Sequence, residues 1–254
     1  MKKLLLILLC LPFIGFGQII WSNDFSNPNE WIVDNTGAFT NEGWNIDATV
    51  DSWYLQSFSS TSGGNFAELG NGDPTAAGWN GPIQVEYTLT TANPINIFGS
   101  IGSGNATLSF EEYGARFNDL QAIQVSVDGI NFTTIGDNLI YPVTSQSSGS
   151  NPYPNPSLRE INLAPYIGST PSTVWIRFSW TTNYPNFATD PSVWITYGWC
   201  IDDVIIAAES NASLCDTSLS SPGWYPDSTT NLANSYVDSS YNEVIQINVP
   251  ITQQ

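Results

Sequence analysis

The feature that most limits how this chain can fold is an alternation of apolar and polar side chains, repeated in segment after segment. Apolar residues occupy every second position within residues 83–89, 106–110, 123–127 and 174–180. A period of two predicts strands with one face on a core and the other toward solvent. Glycine and proline punctuate the chain, and no stretch shows a sustained helical period. The sequence therefore predicts an all-β fold.

The strand pattern extends over residues 18–209, a length that one large two-sheet sandwich can accommodate. Within it, Asp128 and Gly129 predict a tight hairpin turn, because both residue types tolerate a positive φ. Residues 141–157 are rich in proline, serine and asparagine and form a long polar segment. We expect a disordered loop there, although Tyr141 and Tyr153 leave a ligand-binding role open.

The composition changes after residue 209. Residues 210–225 are predicted as a polar linker, and residues 226–254 contain one strand pattern, at 240–250. A single strand is not stable by itself. The segment therefore either adds to the sandwich or begins a second β domain that the sequence does not complete, and we favour the second interpretation.

The N-terminus has the pattern of a signal peptide. Two lysines precede an apolar stretch, residues 4–16, that is too short to span a bilayer. Gly15-Phe16-Gly17 is a small-x-small cleavage pattern, so residues 1–17 are predicted to be removed before Gln18. Cys10 offers a weaker lipoprotein alternative. No later stretch is apolar enough for a membrane helix, so we predict a secreted or cell-surface protein without membrane insertion.

The charge of the predicted mature chain is strongly negative. Once residues 1–17 are removed, three basic residues, Arg116, Arg159 and Arg177, remain against 23 acidic ones, a net charge of −20. Nucleic acid is excluded as a partner, because its binding depends on lysine and arginine side chains that neutralise phosphates. Bound cations would relieve the self-repulsion, and Ca²⁺ is the obvious candidate outside the cell.

The absence of histidine from the sequence limits the available chemistry. It excludes sites in which histidine activates a serine or cysteine, and nearly all catalytic zinc sites. The adjacent carboxylates Glu111-Glu112 and Asp202-Asp203 do not replace them. Neighbours on a strand point to opposite faces and cannot flank one scissile bond. We therefore predict that the chain is not an enzyme.

Three segments in order resemble a known group of modules. LSFEEYGARFNDLQAIQVSVDGINF (108–132), REINLAPYIGSTPSTVWIRFSW (159–180) and YGWCIDDVII (197–206) are similar to the strands of the jelly-roll modules related to MAM and cleaved-adhesin domains. Such modules occur in large exported proteins of bacteria that use the type IX secretion route. The resemblance covers about residues 19–209. It implies an antiparallel two-sheet jelly roll that acts as a binding or adhesion module of a larger protein.

The same resemblance implies a calcium ion that ties the N-terminal strand to the C-terminal strand. The acidic residues at matching places are Asp24, Glu68, Asp202 and Asp203. Carboxylate oxygens from separate segments are the ligands that Ca²⁺ prefers in proteins. The resemblance thus predicts a structural cation rather than a catalytic one.

Asp203 also presents a packing question. If Trp199, Ile201 and Ile205 share the core face, regular alternation buries Asp203 with them. A lone buried carboxylate is costly unless it finds a partner. A calcium ion, Arg177 or backbone N–H groups would offset that cost, and a solvated strand end would avoid it. We expect one aspartate of the pair to fix the closing strand and the other to face outward.

Cysteine and tryptophan give two further hypotheses. After residue 17 only Cys200 and Cys215 remain, and they either form a disulfide or leave Cys200 to fill a small space in the core. Trp53 and Trp175 are candidates for exposed rings that stack on a sugar, although tryptophans more often fill a sandwich core. The expected partner is an extracellular glycan or protein.

Taken together, these patterns favour a non-catalytic binding or adhesion module stabilised by calcium. A carbohydrate-binding module that accompanies a glycoside hydrolase is the first alternative. An accessory domain of a secreted peptidase is the second. An exposed aromatic row would favour the carbohydrate alternative, because sugar rings stack on aromatic faces.

Overall fold

The structure is a computed structural model of the chain. It describes residues 18–36, 43–51, 54–55, 57–70, 84–97, 106–144, 152–168, 173–182, 184 and 197–208. The predicted signal peptide, linker and second domain lie outside the described residues, as do Trp53 and Cys215.

Twelve strands account for most of the described residues, as the alternation predicts. They are β1 Gln18–Asn23, β2 Trp31–Asp34, β3 Gly43–Asp47, β4 Phe66–Gly70, β5 Glu86–Thr91, β6 Ile95–Asn96, β7 Ala106–Gly114, β8 Asp119–Ser126, β9 Thr133–Asp137, β10 Ser157–Asn162, β11 Thr173–Thr182 and β12 Trp199–Ala208. The described helical segments are the four-residue α1, Ala164–Ile167, and two 3-10 turns, Pro28–Glu30 and Asn138–Ile140. None of the described helices has the length and apolarity needed to cross a membrane.

The strands form two antiparallel sheets. Sheet A has the order β10-β7-β12-β4-β3, with β1 also paired to β12, and sheet B has the order β2-β5-β11-β8-β9, with β6 also paired to β11. The chain crosses repeatedly between the sheets, so most neighbouring strands are distant in sequence. This architecture confirms the predicted all-β, two-sheet antiparallel jelly-roll sandwich.

The core lies between the sheets and is built from the inward positions of the predicted strands. Phe178 and Trp180 of β11 are fully or almost fully buried. The ring of Phe178 contacts Phe110 of β7 and Trp199 of β12, with ring centroids 5.1 and 5.8 Å apart. Burial of such large apolar side chains is the main favourable contribution to the stability of a domain of this kind.

The closing strand β12 changes its neighbour halfway along. Residues 199–201 pair with β4, whereas residues 204–208 pair with β1, and the register shifts between Asp202 and Ile205. Asp203 takes φ 49° at this bulge, a conformation that aspartate adopts more readily than most residues. The bulge inserts one residue and so reverses the faces of the strand beyond it.

The prediction that Asp203 is buried on the core face is therefore wrong. Val204 is fully buried between the sheets, while Asp203 is partly exposed. Asp202 is the aspartate with no exposed surface, and it lies on the outer face of sheet A. The error arises because simple alternation assumes a regular strand, and the bulge removes that regularity.

The hairpin at Asp128-Gly129 is confirmed, because Gly129 has φ 73° in the turn that joins β8 to β9. The expectation of a disordered loop at 141–157 is wrong for the part described, residues 141–144 and 152–157. Tyr153 is buried, and its ring stacks on that of Tyr141 with centroids 3.7 Å apart. Tyr153 thus belongs to the core, and the partly buried Tyr141 packs against it.

A polar cluster lies beneath these two tyrosines. Glu112 on β7 is almost fully buried and accepts hydrogen bonds from Trp199 Nε1 at 3.0 Å and from the Tyr141 hydroxyl at 2.7 Å. Arg159 forms an ion pair with it at 3.4 Å. Because Glu111 on the same strand contacts the outer face, the predicted opposite orientation of these neighbouring carboxylates is confirmed.

Candidate functional site

The outer face of sheet A is covered by a segment that we call the strap, residues 57–64. The hydroxyl groups of Ser60 and Ser62 both donate hydrogen bonds to Asp202 Oδ2, the second at 3.0 Å. Asp202 Oδ1 accepts a further bond from the N–H of Asp203 at 2.8 Å. These donors allow a carboxylate to remain buried beneath the strap.

Two further carboxylates hold the strap. Glu111, which pairs with Asp202 across β7 and β12, accepts the N–H of Thr61 at 2.8 Å as well as its hydroxyl. Asp203 accepts the N–H of Ser62 at 3.0 Å. The strap is thus bound through three hydroxyl groups and two backbone N–H groups to three acidic side chains.

The apolar part of this cover lies beside the carboxylates. Phe58 packs against Phe66 and Tyr113, with ring centroids 5.3 and 6.3 Å apart. Cys200 and Leu55 are buried in the same cluster. Cys200 forms no disulfide with a described residue, and burial raises its pKa well above the usual range. The proposed partner Cys215 lies outside the described residues, so the disulfide stays a prediction.

Burial raises the pKa of Asp202 to about 6, although the bonds from Ser60, Asp203 and Ser62 act in the opposite direction. The charge of Asp203 adds to the increase. The carboxyl group of Asp202 therefore changes its ionisation in mildly acidic solution, which is uncommon for an aspartate.

The predicted calcium ligands are only partly brought together. Asp24 directly follows Asn23, the last residue of β1, which pairs with Val204 of β12, so Asp24 lies just beyond β1 on the side where Asp203 precedes Val204. Glu68 pairs instead with Cys200 and accepts the N–H of Asp51 at 2.7 Å. Among the described residues, no group of three or more histidine, cysteine, aspartate or glutamate side chains is arranged to hold a metal ion. Calcium binding stays a prediction.

Arg177 does not partner Asp203, which was the alternative to calcium. It lies on the outer face of sheet B, whereas Asp203 lies on sheet A. The register aligns Arg177 with Thr90 on one side and Gln124 on the other. This alternative is therefore wrong, and the partner of Asp203 is the backbone N–H of Ser62.

The outer face of sheet B contains a second polar arrangement. Arg177 donates from Nε to Thr90 Oγ1 at 3.0 Å, and its Cζ lies 3.5 Å from the centre of the Phe132 ring. None of the described carboxylates forms an ion pair with it. The two terminal guanidinium nitrogens make no hydrogen bond to a described residue.

Two neighbouring side chains on this face are also polar. Gln124 contacts Thr134 through its amide nitrogen at 3.5 Å, while its Oε1 is shielded from solvent and accepts no hydrogen bond from a described residue. Glu86 is exposed and accepts a bond from Ser179 Oγ. Partial burial lowers the pKa of Arg177, and the charges of Glu86 and Asp34 act to raise it.

Trp175 completes this face, as the sequence predicted for one of its two candidate tryptophans. It is half-buried on the outer side of β11, opposite the buried Trp180. Its ring lies on the β8–β9 turn, where a Cβ built on Gly129 would come within 3.1 Å of the ring. The other candidate, Trp53, lies outside the described residues.

Sequence reasoning missed Glu86, Gln124 and Phe132 as members of this face. The alternation of β5 and β8 does place Glu86 and Gln124 on the polar side of their strands, which was a usable signal. No sequence signal indicated Phe132, because its contact with Arg177 depends on the way that the hairpin folds over the sheet.

A shallow groove of about 560 Å³ lies at the sandwich edge, where β9 and β10 meet. Tyr166 contributes an aromatic ring to it and is 42% exposed. Arg159 lines the groove but is bound to Glu112 and to the carbonyl of Asp137. The groove thus offers one ring and few uncommitted polar groups.

Comparison with known proteins found no matching family model and no matching curated protein. The resemblance to MAM and cleaved-adhesin modules therefore stays a prediction. Similar solved structures do exist. The carbohydrate-binding module TmCBM61, solved in complex with β-1,4-galactotriose, is 13% identical with a TM-score of 0.39 over 73% of this chain and 91% of its own.

Two Clostridium thermocellum structures are similar to the same extent. The family 11 carbohydrate-binding module of the cellulase Lic26A-Cel5E is 13% identical with a TM-score of 0.35, over 76% of this chain and 94% of its own. Modules of xylanase 10B, solved with xylohexaose, are 13% identical with a TM-score of 0.38, over 77% of this chain but 29% of theirs. At TM-scores below 0.5, these similarities say nothing of what this chain binds.

Proposed function

We propose that this chain is a non-catalytic, extracellular module that binds an uncharged polysaccharide on the outer face of sheet B. The observation that carries the proposal is the combination of Trp175 with Arg177 on one sheet face. The terminal nitrogens of Arg177 have no described hydrogen-bond partner, and Gln124 lies beside it in register.

The chemistry of a sugar ring matches these groups. An aromatic ring such as that of Trp175 offers a flat apolar surface for the C–H face of a pyranose. A guanidinium group donates hydrogen bonds in fixed directions, which suits neighbouring hydroxyl groups. The stack on Phe132 and the bond to Thr90 hold the guanidinium in place, and this lowers the entropy lost on binding.

The charges on the face favour an uncharged ligand. Arg177 is flanked by Glu86 and Asp34, both of which raise its pKa through their charge. A uronate or sulfate group would meet these carboxylates and a chain with a large negative net charge. A cationic ligand would meet the guanidinium group. Uncharged hydroxyl groups avoid both conflicts.

The proposal adopts the carbohydrate-binding alternative in place of adhesion to a protein. A role beside a glycoside hydrolase or a secreted peptidase, export after residue 17 and the type IX route are compatible with it. Each of these remains a proposal.

Affinity electrophoresis of the purified full chain against xylan, mixed-linkage β-glucan and galactan tests the function directly. Retardation by at least one of them is expected. Trp175→Ala and Arg177→Ala should each weaken that binding at least tenfold, which corresponds to about 1.4 kcal/mol. Polygalacturonate, which carries uronate groups, should not retard the protein.

Tyr166→Ala is the matched control, because it removes an exposed ring at the sandwich edge while the face of sheet B is unchanged. It should bind like the unaltered chain. Binding that survives both Trp175→Ala and Arg177→Ala, or that is lost in Tyr166→Ala, would show that the binding site is not on the outer face of sheet B. The absence of binding to every polysaccharide would contradict the proposed function.

A further inference from the structure

One turn of the chain contacts both side chains on which the proposed function depends. This turn, which we call the tip loop, runs from Ser126, the last residue of β8, to Phe132, directly before β9. Gly129 lies directly against the Trp175 ring, since a Cβ there would approach three ring atoms to 3.1–3.3 Å. Phe132, at the other end of the loop, lies over the guanidinium group of Arg177 at 3.5 Å.

Asp128 organises the tip loop. Its Oδ1 accepts the N–H groups of Ile130 at 2.8 Å and Asn131 at 2.7 Å, and its Oδ2 accepts Asn131 Nδ2 at 2.7 Å. Ser126 adds a hydroxyl bond to Oδ1 at 2.9 Å and accepts the N–H of Gly129 at 2.9 Å. The bonds from Asn131, followed by those from Ile130 and Ser126, hold the pKa of Asp128 well below its usual range.

These hydrogen bonds, and not apolar burial, hold the outer end of the hairpin. Ile130 at its outer side is 81% exposed, so burial of apolar surface does little to fix the loop. The side chain of Asp128 does so instead, by accepting the backbone donors that a turn leaves without partners. The positive φ of Gly129 and the absence of a Cβ allow the loop to lie flat against the indole ring.

We propose that the tip loop is the positioning element of the glycan-binding face and that Asp128 and Gly129 are positioning residues within it. The inference rests on the proposed function. Neither residue needs to touch the polysaccharide. Together they fix the plane of Trp175 and, through Phe132, the direction of the Arg177 donors. A looser loop would leave both side chains to be ordered at the moment of binding, and affinity would fall.

Titration of the full chain and its variants with the polysaccharide that the unaltered chain binds tests this inference. Asp128→Ala and Gly129→Ala should each weaken binding by about threefold to tenfold, because two contact side chains lose their fixed orientation. Asp128→Asn keeps an acceptor oxygen for the N–H groups of Ile130 and Asn131. It should therefore restore most of the affinity that Asp128→Ala loses.

Asp47→Ala is the matched control for a structural effect. Asp47 also accepts a backbone N–H, that of Thr49 at 2.7 Å, but it lies on sheet A. Its removal should change the melting temperature about as much as Asp128→Ala while the affinity stays unchanged. Phe132→Leu, which keeps an apolar side chain but removes the flat ring, provides a second variant that should fold and bind weakly.

The outcomes separate the two proposals. If Trp175→Ala and Arg177→Ala lose binding while Asp128→Ala, Gly129→Ala and Phe132→Leu keep it, the positioning role is wrong and the binding face stands. An equal loss of affinity in Asp47→Ala would also overturn the positioning role. If Trp175→Ala and Arg177→Ala bind normally, or the unaltered chain binds no polysaccharide, both proposals fail.

Discussion

The two outer faces of this sandwich both carry polar side chains, but their hydrogen-bonding groups are used differently. On sheet A, the carboxylates of Glu111, Asp202 and Asp203 accept hydrogen bonds from the strap, so the hydrogen-bonding groups of the face are occupied by the chain itself. On sheet B, the terminal nitrogens of Arg177 have no described hydrogen-bond partner.

The difference shows how a sheet face becomes structural or available. The serine and threonine hydroxyls of the strap occupy the carboxylates of sheet A much as the hydroxyls of a sugar would. Phe58 fills the adjoining apolar surface. On sheet B, the tip loop contacts the Trp175 ring through Gly129 and the Arg177 guanidinium through Phe132. A segment that covers a sheet face occupies its hydrogen-bonding groups, whereas a segment that only supports side chains of the face does not.

The largest expected effect on stability comes from the predicted calcium ion at the Asp24–Asp203 side of sheet A. Calcium that binds only the folded state should stabilise it by about 2.7 kcal/mol at a hundredfold excess over the dissociation constant. Thermal unfolding with calcium and then with chelator measures this. Asp24→Asn and Asp203→Asn should reduce the response, whereas Glu160→Gln, an exposed residue on β10, should not. An identical melting temperature in calcium and in chelator would contradict the predicted calcium site.

A pair of aromatic variants should separate the roles of the two faces. Phe58→Ala removes a ring from the cover of sheet A and should lower the stability by about 2 kcal/mol, less than a fully buried phenylalanine costs. Phe132→Ala should cost less than about 1 kcal/mol in stability, because its ring contacts the Arg177 side chain, whereas Phe58 packs against two aromatic rings.

Their effects on polysaccharide binding should be reversed. Phe58→Ala should bind normally below its melting temperature, while Phe132→Ala should bind weakly. Urea unfolding and affinity electrophoresis on the same preparations measure both quantities. Weakened binding in Phe58→Ala would show that the two faces are coupled.

The smallest effect concerns the ionisation of Asp202. Its pKa is about 6 in the folded chain against 3.8 for an ordinary aspartate, so protonation favours the folded state. This contribution is fully present below pH 3.8 and is lost as the pH rises through 6. Asp202→Asn should therefore raise the stability at pH 8 by about 1 kcal/mol, with allowance for solvent screening, and by much less at pH 4.

Thermal unfolding at both pH values, in chelator, checks that prediction, since a bound cation would replace the proton. Asp47→Asn serves as the control, because Asp47 lies on the same sheet away from the strap. A lower stability of Asp202→Asn at pH 8 would mean that the charged carboxylate contributes more through Ser60 and Ser62 than its burial costs.

Much of the fold could be predicted because every second side chain of a half-buried strand points to the core and is apolar. The inward side chains of β5, β7, β8 and β11 follow that pattern, and the dipeptide Asp128-Gly129 predicts the turn between β8 and β9. The same pattern located Trp175 on an outer face. It failed at Asp202 and Asp203, where the strand is irregular.

The sequence by itself determined the fold class, the inner faces of the main strands, the β8–β9 turn and the exclusion of histidine chemistry, because these depend on residues that are near one another in the chain or on composition. Only the tertiary structure decided that Asp202 is the buried aspartate, because β12 changes its neighbour from β4 to β1 at that point. The strap, and the contacts of the tip loop with Trp175 and Arg177, were decided in the same way. Ser60 lies 142 residues from Asp202, and no local pattern encodes so distant a contact.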